Sequence, residues 1–329
     1  MSKMSRRDFL KRSVVAGGVV MSGAGKLAFA ADGSPVGTFY DLTKCDGCRD
    51  LPVPACVTAC REENQQKFPR PADQIELYWP RNIKEDWSDK KELTTRLTPY
   101  NWTFVQTVSV EHNGQTVQVS MPRRCMHCDN PPCATLCPFG AQNKMPEGPV
   151  LINKELCLGG AKCRDVCPWG IPARQAGVGL YMKIAPKYLG AGVMYKCDLC
   201  YDRIRSGGAP ACVEACPKRA IQFGETKAML EAAQARNSAI NGYIYGDKEN
   251  GGTSTFYVSP VPFERINEKL QEQKSRQENP KAPGFPGTPV EVGNILDTAN
   301  GTVAGLVIAP LAGAFAAGYA AYKTMKGGE

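Results

Sequence analysis

The chain has 329 residues, enough for about two domains, and it contains 15 cysteines, 33 glycines and 25 prolines. Its formal net charge of +8 is concentrated at the N-terminus: residues 1–30 hold six Lys or Arg and one Asp, so the other 299 residues carry only +3. This distribution excludes an ordinary nucleic-acid-binding protein, because binding phosphates needs a clustered basic face on the folded part. The many glycines and prolines predict a loop-rich fold in which bound metal contributes folding free energy.

Residues 1–30 have the pattern of an export signal. Residues 5–11 (SRRDFLK) carry a twin-arginine motif, an apolar run begins at Val14, and residues 28–30 form an A-x-A cleavage site. This class of signal is typical of proteins that are exported already folded, often with a cofactor inserted. We therefore expect a mature chain that begins near Ala31, outside the inner membrane.

The 15 cysteines fall into four groups, and each group ends in C-x3-C. In the second group, C-x2-C-x4-C-x3-C-P, the spacing is typical of a loop that offers three thiolates to one iron–sulfur cluster and a fourth to another. The recurrence predicts duplicated ferredoxin-like modules that each hold two clusters. The groups are Cys45, Cys48, Cys56 and Cys60; Cys125, Cys128, Cys133 and Cys137; Cys157, Cys163 and Cys167; and Cys197, Cys200, Cys212 and Cys216.

The third group lacks one cysteine, because Gly160 stands where the template C-x2-C-x2-C-x3-C-P has its second. This explains the odd cysteine total, whereas a disulfide framework favours an even number and zinc sites favour complete sets of four. A cuboidal cluster without one cysteine ligand often lacks the iron at that corner. We therefore expect one [3Fe-4S] cluster here and three [4Fe-4S] clusters elsewhere. A water, a hydroxide or a nearby side chain could instead hold a fourth iron.

Basic residues directly precede four of the cysteines: Lys44, Arg124, Lys162 and Lys196. Cations at these positions could raise the reduction potential of a cluster or mark a docking face, but we favour solvated side chains. We predict that His127, inside the second group, is a hydrogen-bonding neighbour of a cluster rather than a ligand. The sequence has no hydrolase, zinc-protease, phosphate-loop or dinucleotide motif, so we predict no catalytic site.

The rest of the chain predicts an α+β fold. The four-cluster domain spans 31–224 and includes an insertion, 61–124, in which alternating valines flank Asn113-Gly114 and predict a β-hairpin.

An extension, 225–273, is expected to pack on this domain. Within it, residues 225–236 read as an amphipathic helix and residues 256–258 as a strand. Residues 274–300 are rich in proline, glycine and charge and are predicted to be a linker.

The C-terminus has the pattern of a membrane anchor. Residues 301–322 contain no charged side chain and are mostly apolar, which predicts a transmembrane helix, and the lysines of the tail 323–329 predict that the tail is cytoplasmic. Small-residue pairs suited to close packing against a partner helix occur at Gly301/Gly305 and Ala314/Gly318.

The four-group pattern resembles the four-cluster iron–sulfur subunits of molybdopterin oxidoreductases, which also serve some periplasmic nickel–iron hydrogenases. The motifs C-M-H-C-x2-P-x-C-x3-C-P (125–138) and C-x2-C-x11-C-x3-C-P (197–217) carry the resemblance, which spans about residues 37–265. Residues 251–258 also resemble the tail of membrane-anchored members, the iron–sulfur subunits of the hydrogenase-2 and formate dehydrogenase N type.

The resemblance implies that the first three cysteines of one group share a cluster with the last cysteine of a partner group. Two departures stand out: an x7 gap before Cys56 replaces the usual x2, and Gly160 replaces a cysteine that hydrogenase members usually keep. Nitrate reductase relatives have tryptophan there and a three-iron cluster. The implied sets are Cys45, Cys48 and Cys56 with Cys216; Cys197, Cys200 and Cys212 with Cys60; Cys125, Cys128 and Cys133 with Cys167; and Cys157 and Cys163 with Cys137.

These features predict an electron-transfer subunit rather than an enzyme. It would relay electrons between a catalytic subunit of the nickel–iron hydrogenase type and an integral-membrane subunit that exchanges electrons with quinone. A molybdopterin partner, such as a formate dehydrogenase or an oxyanion or sulfur reductase, is the alternative, and an exported structural zinc or disulfide protein is a third. We expect a single-pass protein of the inner membrane, with its main domain in the periplasm and its C-terminus in the cytoplasm.

Overall fold

A computed structural model describes residues 34–77, 82, 84–186, 191–279 and 281–326. The predicted export signal and cleavage site lie outside the described residues. The predicted mixture of helices and strands is confirmed. The strands are β1 (Val36–Asp41), β2 (Phe104–His112), β3 (Gln115–Arg123), β4 (Gln142–Lys144), β5 (Val150–Ile152), β6 (Ala173–Gln175), β7 (Val193–Tyr195), β8 (Ile221–Glu225), β9 (Tyr243–Tyr245) and β10 (Thr255–Ser259).

Most helices consist of one or two turns and lie beside a cysteine group. The α-helices are α1 (Ala55–Asn64), α2 (Pro132–Thr135), α3 (Lys162–Asp165), α4 (Tyr181–Ile184), α5 (Tyr201–Arg205), α6 (Ala211–Glu214), α7 (Thr226–Ile240), α8 (Phe263–Ser275), α9 (Ala299–Val303) and α10 (Ala309–Lys326). A π-helical turn, Ala304–Ile308, joins α9 to α10, and 3-10 turns occur at Gln65–Lys67, Glu249–Gly251 and Ile295–Asp297.

Short antiparallel strand pairs connect the cysteine groups. β4 pairs with β5 between the second and third groups, and β6 pairs with β7 between the third and fourth. β8, which follows the fourth group, pairs with β1, which precedes the first. Each pair therefore fixes the end of one cysteine loop beside the start of another.

One four-stranded sheet closes the molecule, in the order β8-β1-β10-β9, with β1 parallel to β10. α7 packs on this sheet through Met229 and Ala233, which contact Phe39, Phe256 and Val258 in a small apolar core. The predicted strand at 256–258 and the predicted helix after residue 225 are thus both confirmed, and the helix extends to residue 240.

The predicted hairpin is also confirmed. β2 and β3 pair in register, and Asn113 and Gly114 adopt φ values of 50° and 75°, as a type I′ turn requires. Val108, Val110 and Val119 alternate with exposed residues and join the apolar cluster that contains the cysteines. The hairpin therefore covers one flank of the cysteine-rich centre.

Residues 281–298, part of the predicted linker, lie along the domain. The Leu97 N–H donates to Gly284 O at 3.0 Å, and the Tyr245 hydroxyl donates to Pro289 O at 2.8 Å. Farther along, the Asn294 amide donates to Asn130 O at 2.7 Å. These contacts hold residues 284–294 against the domain.

The small-residue side of the C-terminal helix faces its own domain. A Cβ on Gly305 would lie 3.3 Å from Thr135 Cγ2, and a Cβ on Gly313 would lie 2.1 Å from Pro138 O. The rest of the helix surface exposes large apolar side chains, among them Leu306, Leu311 and Phe315. Gly305 belongs to a small-residue pair that was predicted to pack against a partner helix, but it packs within the chain.

The prediction of a transmembrane helix is not confirmed. Among the helices formed by the described residues, none combines the length and the apolar character needed to cross a membrane.

The close approach at Gly313 yields a test of this packing. We expect Gly313→Val to weaken the contact between α10 and Pro138, because its Cβ has no room against the backbone and overpacking costs about 1–3 kcal/mol. Amide exchange along α10, measured by mass spectrometry, should accelerate roughly tenfold. Gly318→Val is the matched control, since its Cβ meets no atom within 4 Å. Equal exchange in the two variants would contradict the packing.

Candidate iron–sulfur sites

All four cysteine groups have a left-handed residue at the same position. The third residue of each group adopts a left-handed conformation, with φ of 73° at Gly47, 50° at His127, 67° at Gly159 and 59° at Leu199. Side chains other than glycine rarely adopt this conformation unless their surroundings impose it. The repeat thus extends from the sequence to the backbone, and Gly160 lies in the register of a second cysteine.

The second half of each group forms a short helix. Cys56 and Cys60 both lie on α1. Each of α2, α3 and α6 carries the first cysteine of its C-x3-C pair, and the last cysteine lies two residues beyond the end of the helix. Residues four apart lie one turn apart on a helix, so the two sulfurs of each pair point to neighbouring regions of the core.

The structure brings cysteines from different groups together. Set A surrounds one cavity, and set D surrounds another of about 120 Å³, which Gly160 also lines. In sets B and C, burial raises the thiol pKa values of Cys60 and Cys128, and the other members of each set raise them further. The sets are A (Cys45, Cys48, Cys56, Cys216), B (Cys60, Cys197, Cys200, Cys212), C (Cys125, Cys128, Cys133, Cys167) and D (Cys137, Cys157, Cys163).

This composition matches the pairing that the resemblance implies. The x7 gap does not displace Cys56, which lines the cavity of set A with its partners. Gly160 lies at the cavity of set D, where the missing ligand was expected.

The buried cysteines need a nearby positive charge to ionise. Burial raises the pKa of Cys45 and Cys167 to about 11 and that of Cys133 to about 12, so without a cation these thiols stay protonated at neutral pH. Backbone N–H groups donate to sulfur at 3.4 Å for Cys157 and 3.3 Å for Cys197. Iron would supply the positive charge, and amide donors to sulfur help to set the potential of a cluster.

Two other uses of the thiols find no support in the described residues. All 15 cysteines lie in the described part of the chain, and each is a free thiol. Within that part, no three Cys, His, Asp or Glu side chains are arranged to hold a single metal ion, as a zinc site would require.

His127 is fully buried inside the second cysteine group. Its Nδ1 accepts the Val150 N–H at 3.0 Å, and Ser254 N–H donates to its carbonyl at 3.2 Å. Burial, together with the cations Lys196, Arg124 and Lys144, keeps the pKa of His127 well below its usual value, so the ring is neutral with its proton on Nε2. Because Nε2 has no partner among the described residues, its N–H is available to a cluster.

We predicted that the four basic residues directly before cysteines are solvated. The prediction is correct for two of them and wrong for the other two. The Lys44 side chain is 47% exposed, and Lys162 is exposed. By contrast, Arg124 and Lys196 are only 2% and 6% exposed. A position next to a cysteine does not show whether a side chain is buried. The sequence alone therefore could not distinguish the two buried basic residues from the two exposed ones.

The two buried cations lie between sets B and C. Arg124 precedes Cys125 of set C, but its Nη1 lies 3.7 Å from the sulfur of Cys197 in set B. Lys196 precedes Cys197 and donates to Cys197 O at 3.2 Å. Burial opposes its charge, but Cys125, Cys133 and Cys197 raise the pKa of Lys196, so it remains protonated.

Arg124 has further neutral partners. Its Nε donates to the Tyr40 hydroxyl at 2.5 Å, its Nη2 donates to the Thr38 hydroxyl, and its Nη1 donates to Cys125 O at 3.1 Å. Burial opposes its charge as well, but Tyr40 and the cysteines of set B raise the pKa of Arg124 above its usual value. Lys196 therefore acts on sulfurs of both sets, whereas Arg124 acts on the sulfurs of set B and reaches set C through the carbonyl of Cys125.

Comparisons with known proteins agree with this arrangement. Two family models described as 4Fe-4S dicluster domains match residues 44–141 and 116–226. The hydrogenase-2 operon protein HybA of Escherichia coli O157:H7 is 30% identical over 309 residues, which cover 80% of this chain and 83% of that protein.

The chain belongs to the family of iron–sulfur electron-transfer subunits with 4Fe-4S dicluster domains. The nitrate-inducible formate dehydrogenase iron–sulfur subunit of Escherichia coli K12 is 31% identical over 230 residues, covering 68% of this chain and 67% of that protein. The probable anaerobic dimethyl sulfoxide reductase chain YnfG of the same strain is 31% identical over 192 residues, covering 57% and 72%. The predicted family resemblance is confirmed, and the relatives come from three kinds of complex.

The buried cations give a prediction for this family member. Removing the charge with Arg124→Met or Lys196→Met should lower the reduction potentials at sets B and C, because a nearby positive charge favours the reduced, more negative cluster. We expect a fall of about 60 mV or more, equivalent to a tenfold change for a one-electron couple. Potentiometric titration followed by electron paramagnetic resonance (EPR) would measure it.

Lys162→Met is the matched control, since Lys162 also precedes a cysteine but is exposed. The variant Arg124→Lys keeps the charge and should retain most of the potential. An equal fall in reduction potential in Lys162→Met would contradict the electrostatic role of Arg124 and Lys196. An unchanged potential in Arg124→Met and Lys196→Met would contradict it as well.

Proposed function

We propose that this chain is a four-cluster electron relay between a catalytic subunit and a membrane subunit that exchanges electrons with quinone. The observation that carries the proposal is the assembly of four cysteine sets, each drawn from two groups, within one domain. Sets A, B and C would each hold a [4Fe-4S] cluster, and set D, with three cysteines, a [3Fe-4S] cluster.

The shared C-x3-C turns give the four clusters an order. Cys56 of set A and Cys60 of set B lie about one turn apart on α1, a rise of about 6 Å. Arg124 connects set B to set C. Cys163 of set D and Cys167 of set C are again four residues apart, and Cys133 and Cys167 of set C are among the thiols that raise the pKa of Cys163. The order A-B-C-D makes A and D the two ends of the relay.

Set D would face the membrane partner. The C-terminal helix packs on Pro138, directly after Cys137 of set D, and presents Leu306, Leu311 and Phe315 outward. An exposed apolar stripe of this kind favours contact with another protein or with a membrane. Set A would then receive or deliver electrons at the catalytic subunit.

A nickel–iron hydrogenase is our first choice of catalytic partner, because the hydrogenase-2 operon protein aligns with more of this chain than the other two relatives. A molybdopterin enzyme is the alternative, supported by the formate dehydrogenase and dimethyl sulfoxide reductase relatives. The twin-arginine motif in residues 5–11 favours a periplasmic location for the cysteine domain and its partner.

Purification in mild detergent without oxygen tests the proposal. We expect a brown complex with about 15 iron atoms per copy of this chain, because three cubanes and one three-iron cluster add up to that number. Nickel in a co-purified large subunit would identify a hydrogenase, and molybdenum or tungsten would identify the alternative. A colourless chain that contains zinc and no acid-labile sulfide would contradict an electron relay.

Gly160→Cys tests the three-iron assignment. A Cβ on Gly160 meets no atom within 4 Å, so the thiol has room to enter the cavity of set D. We expect the EPR signal of the oxidised three-iron cluster to disappear and the iron content to rise by about one atom per chain.

Gly160→Ala is the control for Gly160→Cys, because it adds a Cβ without a ligand atom and should keep the three-iron signal. Persistence of that signal in the cysteine variant, with unchanged iron, would contradict the assignment.

A further inference from the structure

The cavity of set D differs from that of set A at a second position besides Gly160. Ile221 is the fifth residue after Cys216, and it lines the cavity of set A. Gln142 is the fifth residue after Cys137, and it lines the cavity of set D. Both side chains are 4% exposed. At the set that lacks a cysteine, an amide thus replaces an alkyl group at the equivalent place.

Gln142 carries a buried acceptor that the protein does not satisfy. Pairing of β4 with β5 sets Gln142 opposite Ile152. Its Oε1 is buried and has no hydrogen-bond partner among the described residues. Leaving a buried acceptor unpaired costs about 1–3 kcal/mol. A sulfide of the cluster cannot satisfy it, because sulfide is itself an acceptor, whereas a cation can.

The cavity also has room for a fourth metal ion. No atom lies within 4 Å of the Cβ position of Gly160, and the cavity measures about 120 Å³. Among the described residues that line it, Gln142 alone has a side-chain oxygen. Missing sulfur, free space and an unsatisfied oxygen therefore occur in one cavity.

We propose that set D holds an exchangeable metal position, at which a reduced three-iron cluster binds a divalent, sulfur-preferring cation with Gln142 Oε1 as the protein ligand. The inference rests on the three-iron cluster of the proposed function. The addition balances without electron transfer: a neutral [3Fe-4S] core and Fe²⁺ give a [4Fe-4S]²⁺ core. An oxidised core must first gain one electron, which the cluster at set C can supply.

This assignment couples the redox state of the cluster at set D to the binding of a fourth metal ion. Metal would bind only after an electron has reached set D, so reduction and uptake favour each other by linkage. Carboxamide oxygen binds a sulfur-preferring metal ion more weakly than thiolate does. Metal binding at the fourth position would therefore be reversible, whereas a cysteine there would hold the fourth metal ion permanently.

The test uses the full chain in its detergent-purified complex, reduced with dithionite and titrated with Zn²⁺ as the probe. Metal uptake is followed as the loss, after reoxidation, of the three-iron EPR signal. Compared with the native protein, Gln142→Ile should bind Zn²⁺ at least tenfold more weakly, because it copies Ile221, and Gln142→Glu should bind it more tightly. Both variants should show the full three-iron signal before Zn²⁺ is added.

Ile221→Gln is the matched control and should leave Zn²⁺ uptake unchanged, since set A already has four cysteines. Equal affinity in the native protein and Gln142→Ile would overturn the role of Gln142. A native three-iron signal that Zn²⁺ never diminishes would overturn the exchangeable position and leave the proposed relay intact. Absence of that signal before any addition would instead overturn the three-iron assignment on which both depend.

Discussion

The exchange of cysteines between groups constrains the whole chain. Because the last cysteine of each group belongs to a set whose other members come from elsewhere in the sequence, no group can be completed locally. Set A, for example, requires residues from both ends of the domain, Cys45 and Cys216. The strand pair β1–β8 and the hairpins between groups serve this requirement, since they hold the ends of distant loops together. Metal–sulfur bonds would then fix a topology that the short helices and strands could hardly stabilise alone.

The electrostatics of the interior follow from the same arrangement. A buried cation is costly unless opposite charge lies near it. Burial of Arg124 is offset by sulfurs of set B and that of Lys196 by sulfurs of sets B and C, and thiolates at these positions in turn need positive charge. Cations and clusters therefore stabilise each other. In the proposed relay, the same two side chains would lie at the step between set B and set C.

Much of this organisation could be predicted from the sequence. Cysteine spacing indicated the four groups, Asn113-Gly114 indicated the hairpin, and the family resemblance implied the sets that the structure brings together. Burial of Arg124 was not predictable, because the residue beside a cysteine can face either the solvent or the next cluster. The role of Gln142 was missed as well, although aligning it with Ile221 at a fixed distance from C-x3-C-P would have revealed the substitution. The packing of Gly313 on Pro138 depends on a contact between segments 175 residues apart, which local patterns do not encode.

Each of the four cysteine loops contains at least one left-handed residue that is not glycine. These residues are Cys48 in the first loop, His127 in the second, Ala161 in the third, and Leu199 with Cys200 in the fourth. Each costs roughly 1–2 kcal/mol in this conformation, and metal–sulfur bonds would offset that cost. A loop that lost its cluster would therefore relax to another backbone conformation, at the end sets as well as at the inner ones. Loading a cluster into this chain is then a local folding step as well as a chemical one.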